Sequence, residues 1–130
     1  MLKPIRGFVL FEGIAFIIAS LIHFGVLIHG YEHPWAGRAE GIIGIVLLIG
    51  YVLVWILPAW TRAVGLAVQA LALFGTCVGV YTIAIGIGPR TIPDVTFHVA
   101  VVIALISGLI VTFRADKQVA ASARYQSPQP

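Results

Sequence analysis

GIIGIVLLIGYVLVWIL, residues 41–57, runs for seventeen residues without a charged side chain. A bilayer core about 30 Å thick is crossed by roughly 20 apolar residues of α-helix, each rising about 1.5 Å. The stretch therefore reads as most of a membrane-crossing helix over 38–57. Outward from it the pattern repeats, with apolar runs over 7–29, 61–87 and 93–114. Hydrophobic residues make up 60% of the chain and charged ones 10%, with a mean hydropathy of +1.04. Ordinary soluble domains carry about 25% charged residues. The expected architecture is all-α: an integral-membrane four-helix bundle, up-down-up-down, filling one domain over 1–114. Residues 115–130 are polar and end in Ser, Pro and Gln, which predicts a disordered cytoplasmic tail.

Charge sets the expected orientation. Lys3 and Arg6 precede the first run as in a signal peptide, but that run is too long for a signal-peptide core and reads as a retained helix. With four alternating spans, Lys3, Arg6, Arg62, Arg114, Lys117 and Arg124 share one side, against Arg38 and Arg90 on the other. The positive-inside rule then puts both termini in the cytoplasm of a multi-pass membrane chain. The net charge of +3 suits flanks beside anionic lipid and gives no sign of nucleic-acid binding. The lone cysteine, Cys77, excludes a disulfide or CxxC chemistry within the chain and reads as an inert packing residue.

The turns are marked by proline. WILPAW, residues 55–60, ends the second span, with Trp55 and Trp60 suited to the headgroup level. In IGIGPRTIPD, residues 85–94, Thr91 is the expected N-cap of the fourth helix and Asp94 lies in its first turn, where a carboxylate complements the helix dipole. The pairs Gly37/Gly41 and Gly75/Gly79 permit close helix approach, within the chain, in a homo-oligomer or in a larger membrane complex.

Polar side chains inside the spans carry the chemistry, because burying them in hydrocarbon is costly. Depth counted from the middle of each run puts His23 and His98 at one level, with Tyr81 and Thr82 close by and Glu40 and Asp94 about one turn further out. Glu12 and His23 are eleven residues apart and share a helix face. Asp94 and His98, at i and i+4, let the carboxylate accept a ring N–H. Deeper in, Glu12 and Gln69 lie at similar depth. Two polar layers result.

Three functions fit such layers. His23, His98, Asp94 and Glu40 have the chemistry of a transition-metal site, and two histidines from different helices that of a haem site, in an accessory or cation-binding protein. Glu12, Gln69 and Tyr81 form a candidate proton or solute path, since a carboxyl in apolar surroundings is able to exchange a proton near neutral pH. His98 with Asp94 would serve a membrane enzyme acting on a lipid or quinone as a general base. Against all three stands a structural role, with the histidines bonded to Tyr81, Thr82 or a backbone carbonyl to hold helix register. HGYEH, residues 29–33, spells a zinc-peptidase motif, but Gly30 and Pro34 break the helix that motif needs. His29, Glu32 and His33 are instead an outer rim able to guide a cation inward. Phosphate loops and nucleophile elbows are missing from the sequence.

LFEGIAFIIASLIHFG, residues 10–25, and GPRTIPDVTFH, residues 88–98, within a four-span chain of this size, resemble small bacterial DoxX-like membrane proteins. That resemblance implies the four-helix fold and assigns no catalytic residue. The early intramembrane Glu12 also resembles the proton-exchanging glutamate of small multidrug resistance exporters, whose pattern has no place for His23, Asp94 or His98.

Overall fold

The computed structural model describes the backbone of residues 2–126 and the side chains of residues 2–115. Four helices follow one another: α1 (Lys3–His23), α2 (Pro34–Ile56), α3 (Thr61–Ala84) and α4 (Ile92–Gln126), with a single 3-10 turn, Pro58–Trp60, leading into α3. All four are long and apolar enough to cross a membrane.

Helix α1 stops at His23, six residues short of the expected 29. Gly25, with φ +70°, takes a left-handed conformation that ends the helix, so the apolar residues 24–28 fold back instead of continuing it. The loop is tied to the helix end, the Val26 N–H bonding the Leu21 carbonyl at 2.9 Å and the His33 N–H bonding the His23 carbonyl at 2.8 Å. His33 then caps α2, its Nδ1 accepting from the Ala36 N–H at 3.2 Å, and Pro34 occupies the first turn, where a missing N–H is harmless. Gly86, with φ +88°, ends α3 in the same way, three residues before the expected 87. Arg90 satisfies the carbonyls left over, bonding those of Ile83 at 2.8 Å and Ala84 at 2.9 Å. The turn into α4 is as expected: the Thr91 N–H donates to Asp94 Oδ2 at 3.0 Å, while the Asp94 N–H reaches Thr91 Oγ1 at 3.4 Å. α4 itself continues to Gln126, through much of the segment expected to be disordered. Ala115 to Gln126 is rich in good helix formers, and propensity carries the helix on past the span. Residues 127–130 lie outside the described residues.

The helices close into a ring, α1 against α2, α2 against α3, α3 against α4 and α4 against α1. Ile5, Val9, Phe16, Leu47, Ala72, Val101 and Leu105 fill its middle. Glycine sets the spacing. A Cβ on Gly44 would lie 2.8 Å from Ile17 Cδ1 and 3.1 Å from the Ile17 backbone nitrogen, and one on Gly41 would lie 2.9 Å from Ser20 Oγ. Ser20 uses that proximity to donate to the Gly37 carbonyl at 2.7 Å. Outward, Phe11, Ile42, Phe74 and Ile103 are all more than 60% exposed, so every helix presents an apolar back. Cys77 belongs to that outer surface, which removes its expected packing role.

Because the contact of Gly44 with Ile17 includes backbone, Gly44→Val forces α1 and α2 apart. Unfolding in detergent should show a loss of about 1–3 kcal/mol. Gly7→Val, where a Cβ meets nothing within 4 Å, should cost markedly less in the same measurement.

Candidate functional site

Asp94 decides the layout of the polar layer near the two loops. Side chains on a helix lean toward its N-terminus, and the Asp94 carboxylate follows that lean back to Thr91, accepting from both its N–H and its hydroxyl through Oδ2. The expected bond from His98 to this carboxylate is thereby lost. His98, one turn later, donates from Nδ1 to the Asp94 backbone carbonyl at 2.8 Å instead. Oδ1 remains free to cross the bundle and meets His23 Nε2 at 3.0 Å. The other ring nitrogen, Nδ1, lies 2.6 Å from Glu40 Oε2 on α2. One imidazole from α1 thus joins a carboxylate of α2 to a carboxylate of α4.

All members are buried: His23 is 3% exposed, Glu40 4%, Asp94 6% and His98 8%. Two bridging hydrogen bonds require two protons. A neutral imidazole supplies one; the second sits on the ring, giving imidazolium between two carboxylates, or on one of the carboxyls. Either way the three groups carry a net charge of −1, and each bridging proton can move between ring and carboxylate within its own bond without changing it. The N-terminus of α4, where Asp94 lies, offsets part of that charge.

Two openings flank the Glu40–His23–Asp94 bridge. On one side a cleft of about 430 Å³ runs between α1 and α4, lined by His23 and Asp94, by Tyr31 from the loop, and otherwise by apolar side chains such as Ile18 and Phe97. On the other a cavity of about 180 Å³ lies chiefly between α2 and α3, with Glu40 and His98 on its wall. The volume of the cleft is in the range of small-molecule sites, about 300–1,000 Å³.

The deeper layer is sealed. Both oxygens of Glu12 accept from Gln69 Nε2 at 3.1 Å, and Gln69 Oε1 accepts from the Thr112 hydroxyl at 2.9 Å. All three residues are fully buried. Gly108 makes the space: a Cβ there would lie 2.6 Å from Glu12 Oε1 and collide with the Gln69 amide. Glu12 lines neither opening. Thr112 and Gly108 were not among the expected site residues, yet a signal exists. The buried residues of α4 are spaced 94, 98, 101, 105, 108, 112, and those of α1 include 5, 9, 12, 16, 19, 23, the same alternation of four and three, with Gly13 and Ser20 beside that stripe. Ser107, off that stripe, is half-buried and donates to the Ile103 carbonyl of its own helix at 2.7 Å.

Tyr81 is 62% exposed and stands outside the layer where depth alone had put it. Thr82, near the same level, lies on the wall of the cavity, donating to the Gly79 carbonyl at 2.7 Å. In the rim, His29 is exposed and 3.4 Å from Glu32, and His33 is spent on its cap. Hydrogen bonds from its own backbone N–H and that of Gly30 hold the Glu32 carboxyl below the ordinary carboxylate range. The peptidase motif is a loop, as its Gly and Pro predict.

The donor set does not fit the metal or haem expected of His23, His98, Asp94 and Glu40. Both nitrogens of His23 are engaged by carboxylates, leaving His98 Nε2 as the one ring nitrogen of the pair open to a ligand. Among the described residues no group of three or more His, Cys, Asp or Glu side chains is placed to hold a metal ion. Comparison with known proteins adds no assignment: the chain matches no family model, no curated protein and no solved structure.

Gln69 is the amide that satisfies Glu12, so Gln69→Leu strands a buried carboxyl and should lower stability by about 1–3 kcal/mol. Adding Glu12→Leu removes the stranded group. A double-mutant cycle of unfolding free energies should show the pair recovering much of the loss, and simple additivity would mean that the two residues do not act together.

Proposed function

We propose that the chain is a four-span protein of a bacterial cytoplasmic membrane that binds a membrane-dissolved, protic small molecule in the α1/α4 cleft. Its proton passes along Asp94, His23 and Glu40. One observation carries this reading: a single imidazole bridges two carboxylates that border different openings, Asp94 on the cleft and Glu40 on the cavity. An imidazole can take a proton on one nitrogen and release one from the other, so the three groups form a two-step relay across the bundle.

The cleft suits a lipophilic body with a hydrogen-bonding head. Its walls are apolar and the exposed Ile18 and Ile28 mark its open side. A carboxylate offers about four acceptor positions. Asp94 uses three, for His23 and for the N–H and hydroxyl of Thr91, which leaves one for a donor. Lys3, Arg6, Arg62 and Arg114 lie toward the end of the bundle away from His23, while Arg38 and Arg90 flank the His23 end. The positive-inside rule therefore turns the relay outward, with both termini in the cytoplasm and lipid around the apolar backs of the helices. A phenol or a quinol has the required head, and the relay would release its proton on the outer side.

A short-chain alkyl nitrophenol is a suitable probe, because its absorbance moves toward the phenolate form when the hydroxyl donates to a carboxylate. Titrated into nanodiscs, it should bind wild type saturably with that shift. Asp94→Asn should weaken binding about tenfold or more, and Ile18→Trp, which fills the cleft, should abolish it. Uptake by wild type no different from that of protein-free nanodiscs overturns the proposal.

A further inference from the structure

Glu40 Oε1 is the polar atom that the relay leaves over. Glu40 is buried, its Oε2 is held by His23, and Oε1 has no hydrogen-bond partner among the described residues. A buried carboxylate oxygen without a partner is costly, and Glu40 lines the α2/α3 cavity. A second acceptor borders the same space. His98 must carry its proton on Nδ1, since the Asp94 carbonyl it bonds can only accept, so the neutral ring turns a lone pair outward at Nε2. No described residue hydrogen-bonds that nitrogen.

Three glycines line this space. A Cβ on Gly79 would lie 3.1 Å from His98 Nε2, and Gly75 and Gly88 also line the cavity. Its other walls are largely apolar, among them Phe16, Ile43 and Ile83. At about 180 Å³ it slightly exceeds an engineered cavity of about 150 Å³ that takes up benzene.

Charge gives the sign of the occupant. The Glu40–His23–Asp94 unit is net negative, and no arginine or lysine among the described residues answers it. Arg38 stacks over Trp35, 5.0 Å from the ring, and Arg90 is bound to the carbonyls that end α3. Two convergent donors of this kind are too few for a metal ion, while a water would fill only part of an apolar space this large. We infer that the cavity is a binding site for a small organic cation, an ammonium group on a compact apolar body, with its charge beside the Glu40 carboxylate and an N–H directed at His98 Nε2. This goes beyond the cleft and its protic ligand: the two sites use opposite ends of the relay, and an ammonium at Glu40 would supply the missing positive charge.

Benzylammonium tests it, with benzyl alcohol as a neutral donor of nearly the same shape. Calorimetric titration into wild-type nanodiscs at pH 7 should show saturable binding of the cation, about tenfold or more tighter than the alcohol. Glu40→Gln keeps an acceptor for His23 while removing the charge, and should weaken the cation by a similar factor and the alcohol little. Gly79→Ala fills the space beside His98 without altering charge and should weaken both ligands; unchanged nitrophenol binding in that variant shows that the bundle is intact. The inference is overturned if wild type takes up no more cation than protein-free nanodiscs, if cation and alcohol bind alike, or if both variants bind as wild type does. The nitrophenol titration reports the cleft separately, so the failure of one site is not read as failure of the other.

Discussion

Burial of charge in an apolar bundle is the constraint on which this structure depends. Glu40, His23 and Asp94 come from three different helices and all three are buried, so each is tolerable because another satisfies it. Their hydrogen bonds fix more than local geometry. They set the register of α1 against both α2 and α4 at the end near the loops, as Glu12, Gln69 and Thr112 set that of α1, α3 and α4 deeper in. Between apolar helices in lipid, van der Waals packing and such bonds supply much of the cohesion that water-driven burial supplies elsewhere.

Small residues make those bonds reachable. Gly44 lets Ile17 of α1 lie against the α2 backbone, and Gly108 leaves α4 without a side chain where the Glu12–Gln69 pair crosses. Gly79, which also lines the cavity, lets the His98 ring lie close, a Cβ there being 3.1 Å from Nε2. Glycine thus permits close approach at several levels of one bundle.

The Glu40–His23–Asp94 bridge stands between two openings of different character. The cleft is larger and exposed on one side, and borders a carboxylate with one acceptor position left; the cavity is smaller and is lined by Glu40, whose Oε1 has no partner among the described residues. A bridging imidazole couples them, since a proton gained at one carboxylate changes what the other can hold. Such coupling needs no movement of the backbone. It follows from two hydrogen bonds sharing one ring.

Four membrane-length helices were legible in the sequence, because seventeen uncharged residues in a row, and three runs like them, have few other uses. So were the Thr91–Asp94 helix start, the shared face of Glu12 and His23 and the pairing of Glu12 with Gln69, all products of spacing along a helix or of depth. Depth failed for Tyr81, which lies at the right level and faces outward, because level says nothing about rotation. Spacing failed for Asp94 and His98, whose i, i+4 relation allowed a bond that the Thr91 cap had already claimed. Partner choice between helices was decided only by the tertiary structure. Which carboxylate meets which ring nitrogen depends on the rotation and separation of whole helices, quantities summed over many weak contacts that no single residue encodes.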